Sequence, residues 1–534
     1  MKLINIIPIP LSLQFTYATI LPQDDLLEIF EDCHIPVAGI NWLPCGFDIY
    51  KCATLSVPLD YTDKYNKNTT TLSLIKLSAS KTPFKGSIIV NPGGPGVSGR
   101  ELLLTDGHNL ANIVGGHHDI ISFDPRGTGE TLPPFGGETL PEKMMGEVLS
   151  IIRKTPPNKS QKWMYGTWSS ARNITEYLFA KATGREEYLG TAFTARDISE
   201  IANALGEGNQ INYWGMSYGT VLGQVLADMF PDRIGRMLLD GNLLVDDYVE
   251  TLGENSIKDA EMALYHFYDE CKSAGPRLCS SASKLPERYD FLEVFNRIIK
   301  LTKSILSNLY GPEGYHELDE SISALLNDDE CNFELNILGF ASAFDNPQSF
   351  LPYWAILCSD TTFRPKSPDD YFSSYRVNEV HSPFLNQFLL TQLPCVHWKA
   401  RAAEQINLDR PETVHTKTPI LLVNGAYDPM TPLGNARKIS ARFPGSQVVV
   451  HEGVGHGLIS HPSRCTREIV ARYFIDGDLP QKEIRCKPDS TVFEYVASQH
   501  TEEENHAVKH KTSVLLWIVL GFLWTFLMLG ELAR

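Results

Sequence analysis

A serine flanked by two glycines stands between two structured segments near the middle of the chain. Residues 213–220 read YWGMSYGT, so the pattern Gly-x-Ser-x-Gly is centred on Ser217. A strand is predicted just before it, over residues 209–213, and residues 221–227 have helical spacing. At such a junction the motif predicts a tight turn that lifts the serine hydroxyl above a sheet, with glycine where no side chain fits. Ser217 is therefore a candidate nucleophile.

A serine nucleophile needs a base that takes its proton and an acid that fixes the tautomer of the base. In strand–turn–helix folds of this kind they follow in the order serine, acid, histidine. Asp428 lies four residues after a predicted strand that ends at Asn424, and His456 lies five residues after one that ends at His451. Order and placement predict a triad of Ser217, Asp428 and His456.

Other residues compete for the same roles. Asp240 follows the strand after the serine and is an alternative acid, with Asp246 a weaker one. His451 is an alternative base, although it falls within a predicted strand, whereas His456 lies in a glycine-flanked loop. The triad with Asp428 and His456 is the preferred assignment.

A turn upstream can supply donors for the oxyanion that develops during acyl transfer. Residues 92–96, PGGPG, follow an apolar strand and can present the amide of Gly94 beside the amide of Tyr218. The alternative is a glycine-rich turn without a ligand. A phosphate-binding loop is excluded, because the Gly-Lys-Ser/Thr ending and the G-x-G-x-x-G spacing are both missing. Residues 124–127, DPRG, are interpreted as a structural turn.

The order of the apolar segments predicts an α/β fold that would position these residues. Segments 52–60 and 71–77 alternate apolar and polar residues, as edge strands do, whereas segment 86–90 is apolar in its later half, as strands buried in a parallel sheet are. A helix capped by Thr194 is predicted over residues 194–205. Strands alternate with helices, so we expect a mostly parallel sheet flanked by helices. The further predicted strands are residues 118–123, 234–241, 419–424 and 447–451, and a further helix is predicted at 433–443.

A long stretch interrupts this alternation. Between residues 246 and 415 the pattern changes to amphipathic helices, long loops and five cysteines. We interpret it as a mainly helical cap inserted into the sheet fold. The predicted organisation is a signal peptide (1–18), the first part of the core (45–245), the cap (246–415), the second part of the core (416–488), a polar spacer (489–512) and a hydrophobic segment (513–530).

The composition is that of a globular protein. Of the 534 residues, 43% are hydrophobic and 21% are charged, which is enough apolar material for a large core. The net charge of −17 argues against a nucleic-acid partner, because no basic patch stands out to neutralise phosphates. The sequence has no C-x-x-C pair or histidine cluster suited to zinc, so no metal or other cofactor is expected.

Both ends of the chain carry apolar segments. Residues 1–18 combine one basic residue, a short apolar run and a small-x-small site, as a secretory signal peptide does; a disordered apolar tail is the alternative. Residues 513–530 are uncharged and reach the lower length limit for a bilayer span. They also fit a lipid-anchor signal with Ser498 as the attachment site. Either way, the catalytic part would lie outside the cell or in a lumen.

Cysteines and sequons agree with an oxidising compartment. The chain has ten cysteines, and sequons at Asn68, Asn158 and Asn173. Short separations suggest two disulfides and two further pairs would close longer loops, although connectivity cannot be read from a sequence. The suggested pairs are Cys45 with Cys52, Cys271 with Cys279, Cys358 with Cys395 and Cys465 with Cys486. Cys33 and Cys331 remain.

In combination these motifs resemble the secreted tripeptidyl aminopeptidase-like α/β-hydrolases, relatives of the proline iminopeptidases. The resemblance covers residues 45–486, and residues 465–486 are similar to the TAP-like C-terminal region of that family. The other matching stretches are 91–96, 123–129, 213–223, 233–241, 425–432 and 453–457. The resemblance implies the α/β-hydrolase fold and serine peptidase chemistry at the N-termini of peptides, with the triad named above. One departure is the LPPF of residues 132–135, where family members often carry a cysteine.

The leading hypothesis is a secreted or surface-tethered serine aminopeptidase. It would release short peptides, such as tripeptides, from free N-termini through an acyl-enzyme, and the substrate ammonium would need a carboxylate in the cap. The alternative is an esterase or other acyl hydrolase with the same triad, because fold and triad do not dictate the acyl group. A non-catalytic binding ectodomain is disfavoured by the intact triad.

Overall fold

The strands assemble into one ten-stranded sheet in the computed structural model. They are β1 (Leu43–Pro44), β2 (Tyr50–Pro58), β3 (Thr69–Leu77), β4 (Ser87–Asn91), β5 (Asp119–Phe123), β6 (Ile211–Met216), β7 (Ile234–Asp240), β8 (Leu421–Gly425), β9 (Gln447–His451) and β10 (Ile484–Cys486). The order across the sheet is β1-β2-β3-β5-β4-β6-β7-β8-β9-β10. The pairs β1/β2, β2/β3 and β3/β5 are antiparallel. The other six pairs are parallel, so the predicted mostly parallel sheet is confirmed.

The structure describes residues 39–46, 49–131, 140–153, 160–181, 184–250, 255–256, 258–288, 290–291, 308–327, 350–379 and 389–500. The chain divides between Ile40 and Asn41, and the sheet belongs entirely to the part from Asn41 onward. Several predicted features lie outside the described residues, namely the signal peptide, the hydrophobic segment 513–530, Asn158, Cys33 and Cys331. Asn68 and Asn173 are described and exposed, and their glycosylation stays a prediction.

Helices flank the sheet, and many of them lie between β7 and β8. They are α1 (Gly99–Ile113), α2 (Glu142–Arg153), α3 (Gln161–Ala180), α4 (Thr191–Leu205), α5 (Tyr218–Met229), α6 (Val245–Glu250), α7 (Ala260–Ala274), α8 (Pro312–Leu326), α9 (Phe350–Asp360), α10 (Pro368–Glu379), α11 (Pro394–His397), α12 (Leu433–Arg442) and α13 (Arg464–Asp476). Residues 492–500 are also helical. Within the described part of the chain, no helix is both long and apolar enough to cross a membrane. The stretch between β7 and β8, residues 241–420, is called the insertion below.

The central strands are short and apolar because both of their faces are covered. Every residue of β4 and of β8 is buried. Their neighbours Trp214, Leu238 and Val449 belong to the same apolar core, whose members are less than a tenth exposed. A strand that buries both faces needs no polar alternation, so the continuous apolar runs in the sequence are explained by helices on either side.

The four suggested disulfides are all present. Cys271–Cys279 and Cys358–Cys395 lie within the insertion. Cys45–Cys52 joins the segment after β1 to β2, and Cys465–Cys486 joins α13 to β10. Each bond restricts the unfolded chain and thereby stabilises the folded one.

Helix α4 begins earlier than its sequence suggests. The prediction that Thr194 caps it was wrong, because the helix starts at Thr191 with Gly190 at the N-cap position. The acceptor that the first turn needs comes from the insertion: the Thr191 amide lies 3.1 and 3.2 Å from the two carboxylate oxygens of Asp360. The Thr191 hydroxyl donates to the same carboxylate at 2.6 Å. A cap supplied from 169 residues away cannot be recognised from local sequence.

A buried ion pair connects the DPRG turn to the rest of the core. Arg126 and Asp197 have side chains that are 1% and 0% exposed. The guanidinium donates to both carboxylate oxygens, at 2.6 and 2.8 Å. It also donates to the carbonyls of Pro58 and Leu59 at the end of β2, each at 2.6 Å, and Tyr61 adds a hydrogen bond to Asp197 at 2.8 Å. The side chain of Arg126 is thus engaged within the core, as the structural interpretation of the turn requires.

Replacing Asp197 by Asn should destabilise the protein strongly. The substitution leaves the Arg126 charge buried without its counter-ion, so we expect the free energy of unfolding to fall by about 3–5 kcal/mol. The matched control is Glu483→Gln, which removes the same charge from the exposed pair that Glu483 forms with Arg437 and should cost no more than about 1 kcal/mol. Chemical denaturation measures both, and equal losses would contradict the role assigned to the buried pair.

Candidate active site

Ser217 occupies a strained turn between β6 and α5. Its backbone has φ 55° and ψ −121°. Among the residues that the structure describes, every other residue with positive φ is a glycine. A Cβ at Gly215 would lie 2.1 Å from the Gly219 carbonyl oxygen, and one at Gly219 would lie 2.8 Å from the Asn91 carbonyl oxygen. The motif needs glycine because the turn folds back on itself and packs against the end of β4. Strain of this kind, about 1–3 kcal/mol, is typical of functional sites.

The turn at residues 215–219, called the elbow below, is held by hydrogen bonds on both sides of Ser217. The Ser217 amide donates to the Asp240 carbonyl at 2.9 Å, and the Ser217 carbonyl accepts from the Thr220 amide at 2.8 Å. Because Tyr218 begins α5, the positive end of that helix dipole lies next to the serine. The site is therefore prepared for negative charge that develops beside Ser217.

Asp428 and His456 are in direct contact. The Nδ1 atom of the imidazole lies 3.0 and 2.9 Å from the two carboxylate oxygens. The side chain of His456 is 11% exposed and that of Asp428 is 0% exposed. A carboxylate at Nδ1 fixes the tautomer in which Nδ1 carries the proton and Nε2 is free to accept one.

Thr431 helps to hold the carboxylate. Asp428 Oδ1 accepts the amides of Met430 and Thr431, each at 2.9 Å, and Oδ2 accepts the Thr431 hydroxyl at 2.7 Å. The Thr431 hydroxyl is also 3.4 Å from Nδ1 of His456. Sequence reasoning missed this residue, although Asp428 followed by a threonine three positions later is a pattern in which aspartate binds its own downstream backbone.

Ser217 and His456 both lie near the end of β7. Asp240 accepts the Ser217 amide, and a Cβ built on the next residue, Gly241, would lie 3.2 Å from Cε1 of His456. Nε2 of His456 is buried and has no hydrogen-bond partner among the residues that the structure describes. This is the nitrogen that a general base would use, and catalytic contacts of this kind tighten when substrate binds.

Charge around His456 favours its protonated form. Burial lowers the pKa of the imidazole, but the charge and hydrogen bond of Asp428, with the charge of Asp240, outweigh burial and raise it. An imidazolium formed during a reaction would therefore be stabilised in place.

The alternative residues have other partners. The Asp240 carboxylate accepts the Leu458 amide, at 3.0 and 3.2 Å, rather than a proton from His456. Asp246 pairs with Arg410 at 3.0 Å and is 59% exposed. His451 is buried in β9, with Nδ1 3.0 Å from the Thr466 hydroxyl, and burial lowers its pKa to about 4. The structure thus brings Asp428 together with His456 and gives the three competitors different contacts.

The PGGPG turn lies beside the elbow. A Cβ at Gly93 would be 2.9 Å from Cβ of Ser217 and 3.1 Å from the Tyr218 amide nitrogen. The Gly93 amide donates to the Asn91 side chain at 3.0 Å, whereas the Gly94 amide has no acceptor in the described part of the chain. This arrangement suits an oxyanion site, and the assignment of Gly94 and Tyr218 as its donors stays a prediction.

The glycine-flanked loop that carries His456, residues 453–457, is called the histidine loop below. The insertion contacts it through Tyr310. The His456 amide donates to the Tyr310 carbonyl at 2.9 Å, and the two rings meet edge to face with centroids 5.2 Å apart. A Cβ at Gly455, where φ is 99°, would lie 2.4 Å from the same carbonyl oxygen. Gly455 is therefore required by the close approach of the insertion. No sequence signal marks Tyr310, because its partner is 146 positions away in the chain.

One group of potential metal ligands exists among the described residues, and it is unsuited to a metal. Cys271, Cys279 and Asp319 lie close together, but both sulfurs are joined in a disulfide. A disulfide sulfur is not a thiolate and does not ligate metal as one.

Comparison with known proteins agrees with this geometry. Residues 86–261 match the family model described as alpha/beta hydrolase fold, and residues 382–486 match the one described as TAP-like protein. The first match contains the elbow, and the second contains Asp428 and His456. The chain is a TAP-like α/β-hydrolase.

Relatives of this TAP-like hydrolase align over most of their length. The tripeptidyl aminopeptidase of Streptomyces lividans is 27% identical over 495 residues, covering 85% of this chain and 88% of its own. Serine protease Hip1 of Mycobacterium tuberculosis is 26% identical and covers 84% and 91%. Carboxylesterase B of the same species is 26% identical and covers 82% and 86%.

The dependence of kcat/KM on pH should show the titration of His456 on its acidic side, called the acid limb below. The base must be neutral to accept a proton, so kcat/KM of the hydrolase should fall as the pH drops through a pKa above the ordinary imidazole value of about 6.5. Asp428→Asn removes the charge that raises this pKa, so the limb should move to lower pH and kcat should fall about 10⁴-fold. Asp476→Asn, at an exposed carboxylate paired with Lys85, is the control. An acid limb that stays in place in Asp428→Asn would contradict the assignment of the triad acid.

Proposed function

We propose that this serine peptidase is an aminopeptidase that removes short peptides, tripeptides in the first place, from free N-termini. Ser217 is the nucleophile, His456 the general base and Asp428 the acid that orients it. The observation that carries the proposal is the Asp428–His456 pair, with a vacant Nε2 beside the strained serine turn. The tripeptidyl aminopeptidase relative supports the choice of substrate.

Acylation begins with the serine hydroxyl. His456 Nε2 takes the proton of Ser217 as its oxygen attacks the carbonyl carbon of the scissile peptide bond. The imidazolium that forms keeps its Nδ1 proton and donates it in a hydrogen bond to the Asp428 carboxylate, whose two oxygens lie 3.0 and 2.9 Å from Nδ1. As the tetrahedral intermediate collapses, the C–N bond breaks and Nε2 gives its proton to the leaving amine. The N-terminal part of the substrate is then an ester of Ser217.

The negative charge on the carbonyl oxygen is stabilised by backbone amides. The proposed donors are Gly94 and Tyr218, aided by the N-terminus of α5. In the second half-reaction His456 takes a proton from water, which attacks the ester, and Ser217 leaves with that proton. The peptide product and free enzyme result.

The insertion supports cleavage near a chain end. It meets the histidine loop at Tyr310, and on the other side a Cβ at Gly96 would lie 2.8 Å from the backbone of Pro352 and Tyr353. The loops on both sides of Ser217 are therefore in contact with the insertion. A site bordered in this way favours the end of a peptide over an internal bond of a folded protein. The substrate ammonium would be held by a carboxylate of the insertion, in a charge-assisted hydrogen bond.

A second candidate is hydrolysis of esters. It is favoured by the carboxylesterase B relative, whose identity to this chain is nearly that of the peptidases. The same triad serves both reactions, and only the groups above Ser217 distinguish the acyl donor.

Substrate preference can be tested on the full-length protein. We expect a tripeptidyl amide with a free amine to be cleaved at least tenfold faster, in kcat/KM, than its N-acetylated form, because acetylation removes the charge. A short-chain ester is assayed in parallel. Ser217→Ala should abolish turnover, whereas Ser373→Ala, at an exposed serine of α10, should not.

The outcomes separate the two candidates. Equal cleavage of the free and acetylated peptides would reject the aminopeptidase assignment, and an ester cleaved in place of both would favour the second candidate. Wild-type turnover by Ser217→Ala would reject the mechanism for both.

The protein is expected to act outside the cytosol. Four disulfides support this location, because they persist in oxidising compartments. The apolar segments 1–18 and 513–530 extend the proposal to secretion with attachment at the cell surface.

Removal of residues 513–534 should release the activity into the medium if that segment is the attachment. Peptidase activity would be compared between culture medium and the membrane fraction for the full-length and the shortened chain. An unchanged distribution would argue that this segment does not anchor the enzyme.

A further inference from the structure

Asp240 carries a buried carboxylate that the mechanism above does not use. It is the last residue of β7 and is 0% exposed. Its backbone carbonyl accepts the Ser217 amide at 2.9 Å, and its side chain accepts the Leu458 amide, two residues after His456. One residue thus holds both the nucleophile elbow and the histidine loop.

This carboxylate is less well satisfied than that of Asp428. Asp428 accepts two amides, a hydroxyl and the imidazole. Asp240 accepts the Leu458 amide, shared between its two oxygens, and the nearby indole N–H of Trp214 also acts to lower its pKa. A buried charge with so few donors is costly, so its presence beside a reactive site calls for a role.

His456 is the cation that would compensate the charge. A Cβ at Gly457 would lie 3.4 Å from Asp240 Oδ2, so the carboxylate lies directly beneath the histidine loop. Burial raises the pKa of Asp240 to about 7, and the charge of His456 acts against that rise. The groups that face the imidazole are Asp428 after β8, Asp240 on β7 and the ring of Tyr310 from the insertion.

We propose that Asp240 is a positioning residue for the reaction, which keeps the serine elbow and the histidine loop in register and gives the His456 imidazolium a second buried anion. The inference rests on the proposed roles of Ser217 and His456. Asp428 holds the imidazole through Nδ1, while Asp240 acts on it through space and through the Leu458 amide. Asp428 and Asp240 therefore both stabilise the positive charge of the His456 imidazolium, which exists only while His456 holds the proton taken from Ser217.

Asp240→Asn in the full-length enzyme tests the charge. The amide oxygen can still accept the Leu458 N–H, so the loop contact remains while the charge is lost. With a free-amine tripeptidyl amide as substrate, we expect the acid limb of kcat/KM to move down by about one pH unit and kcat to fall about tenfold, with KM little changed. The unfolding midpoint should stay the same or rise, because a neutral amide is less costly to bury.

Asp246→Asn is the matched control, since it removes the same charge from an exposed carboxylate six residues along the chain. Active-site titration with a fluorophosphonate counts the correctly folded Ser217 sites in every variant. If Asp240→Asn does not fold, Asp240→Ser, which keeps a smaller neutral acceptor, should show the same shift.

The outcomes are distinct. A lower acid limb together with a loss in kcat supports the proposal. Unchanged kinetics, or a loss in kcat with the acid limb in its wild-type place, overturns it, since the second result is that of a purely structural residue. Failure of the proposed function appears elsewhere, as an inactive wild-type enzyme or an active Ser217→Ala.

Discussion

The hydrogen bond between Asp428 and Nδ1 of His456 is the interaction on which the rest of the site depends. This hydrogen bond serves catalysis only if Nε2 faces the serine. The loops that carry Ser217 and His456 are more than two hundred residues apart in the chain, so the fold must bring them together. The parallel sheet meets this requirement, because β4, β6, β7, β8 and β9 end at one edge and their following loops converge there. The buried core beneath that edge fixes the loops relative to each other.

Much of this could be predicted from the sequence because the signals are local. The apolar runs of β4 and β8 reflect burial on both faces, and the glycines around Ser217 reflect a turn that leaves no space for side chains. The triad is predicted from its order along the chain, and two of its members, Asp428 and His456, are in contact in the structure. These features depend on near neighbours, which a single sequence displays directly.

The residues that were missed depend on distant partners. Thr194 is a good helix cap in its local sequence, but the helix begins at Thr191, and Asp360 of the insertion supplies the acceptor for its first turn. Tyr310 carries no motif, yet its carbonyl holds the amide of His456. Nothing near either residue in the sequence indicates its partner, so only the folded chain reveals the contact.

The contact between Asp360 and α4 has a consequence for protein engineering. The insertion supplies the N-terminal acceptor of a core helix, whose neighbour α5 begins at the residue after Ser217. It is therefore not a detachable module. A chimera that exchanged residues 241–420 for the equivalent stretch of a relative would inherit an uncapped α4 unless the donor carried a matching carboxylate. Recombination between such enzymes should tolerate crossovers only where this pair is transferred intact.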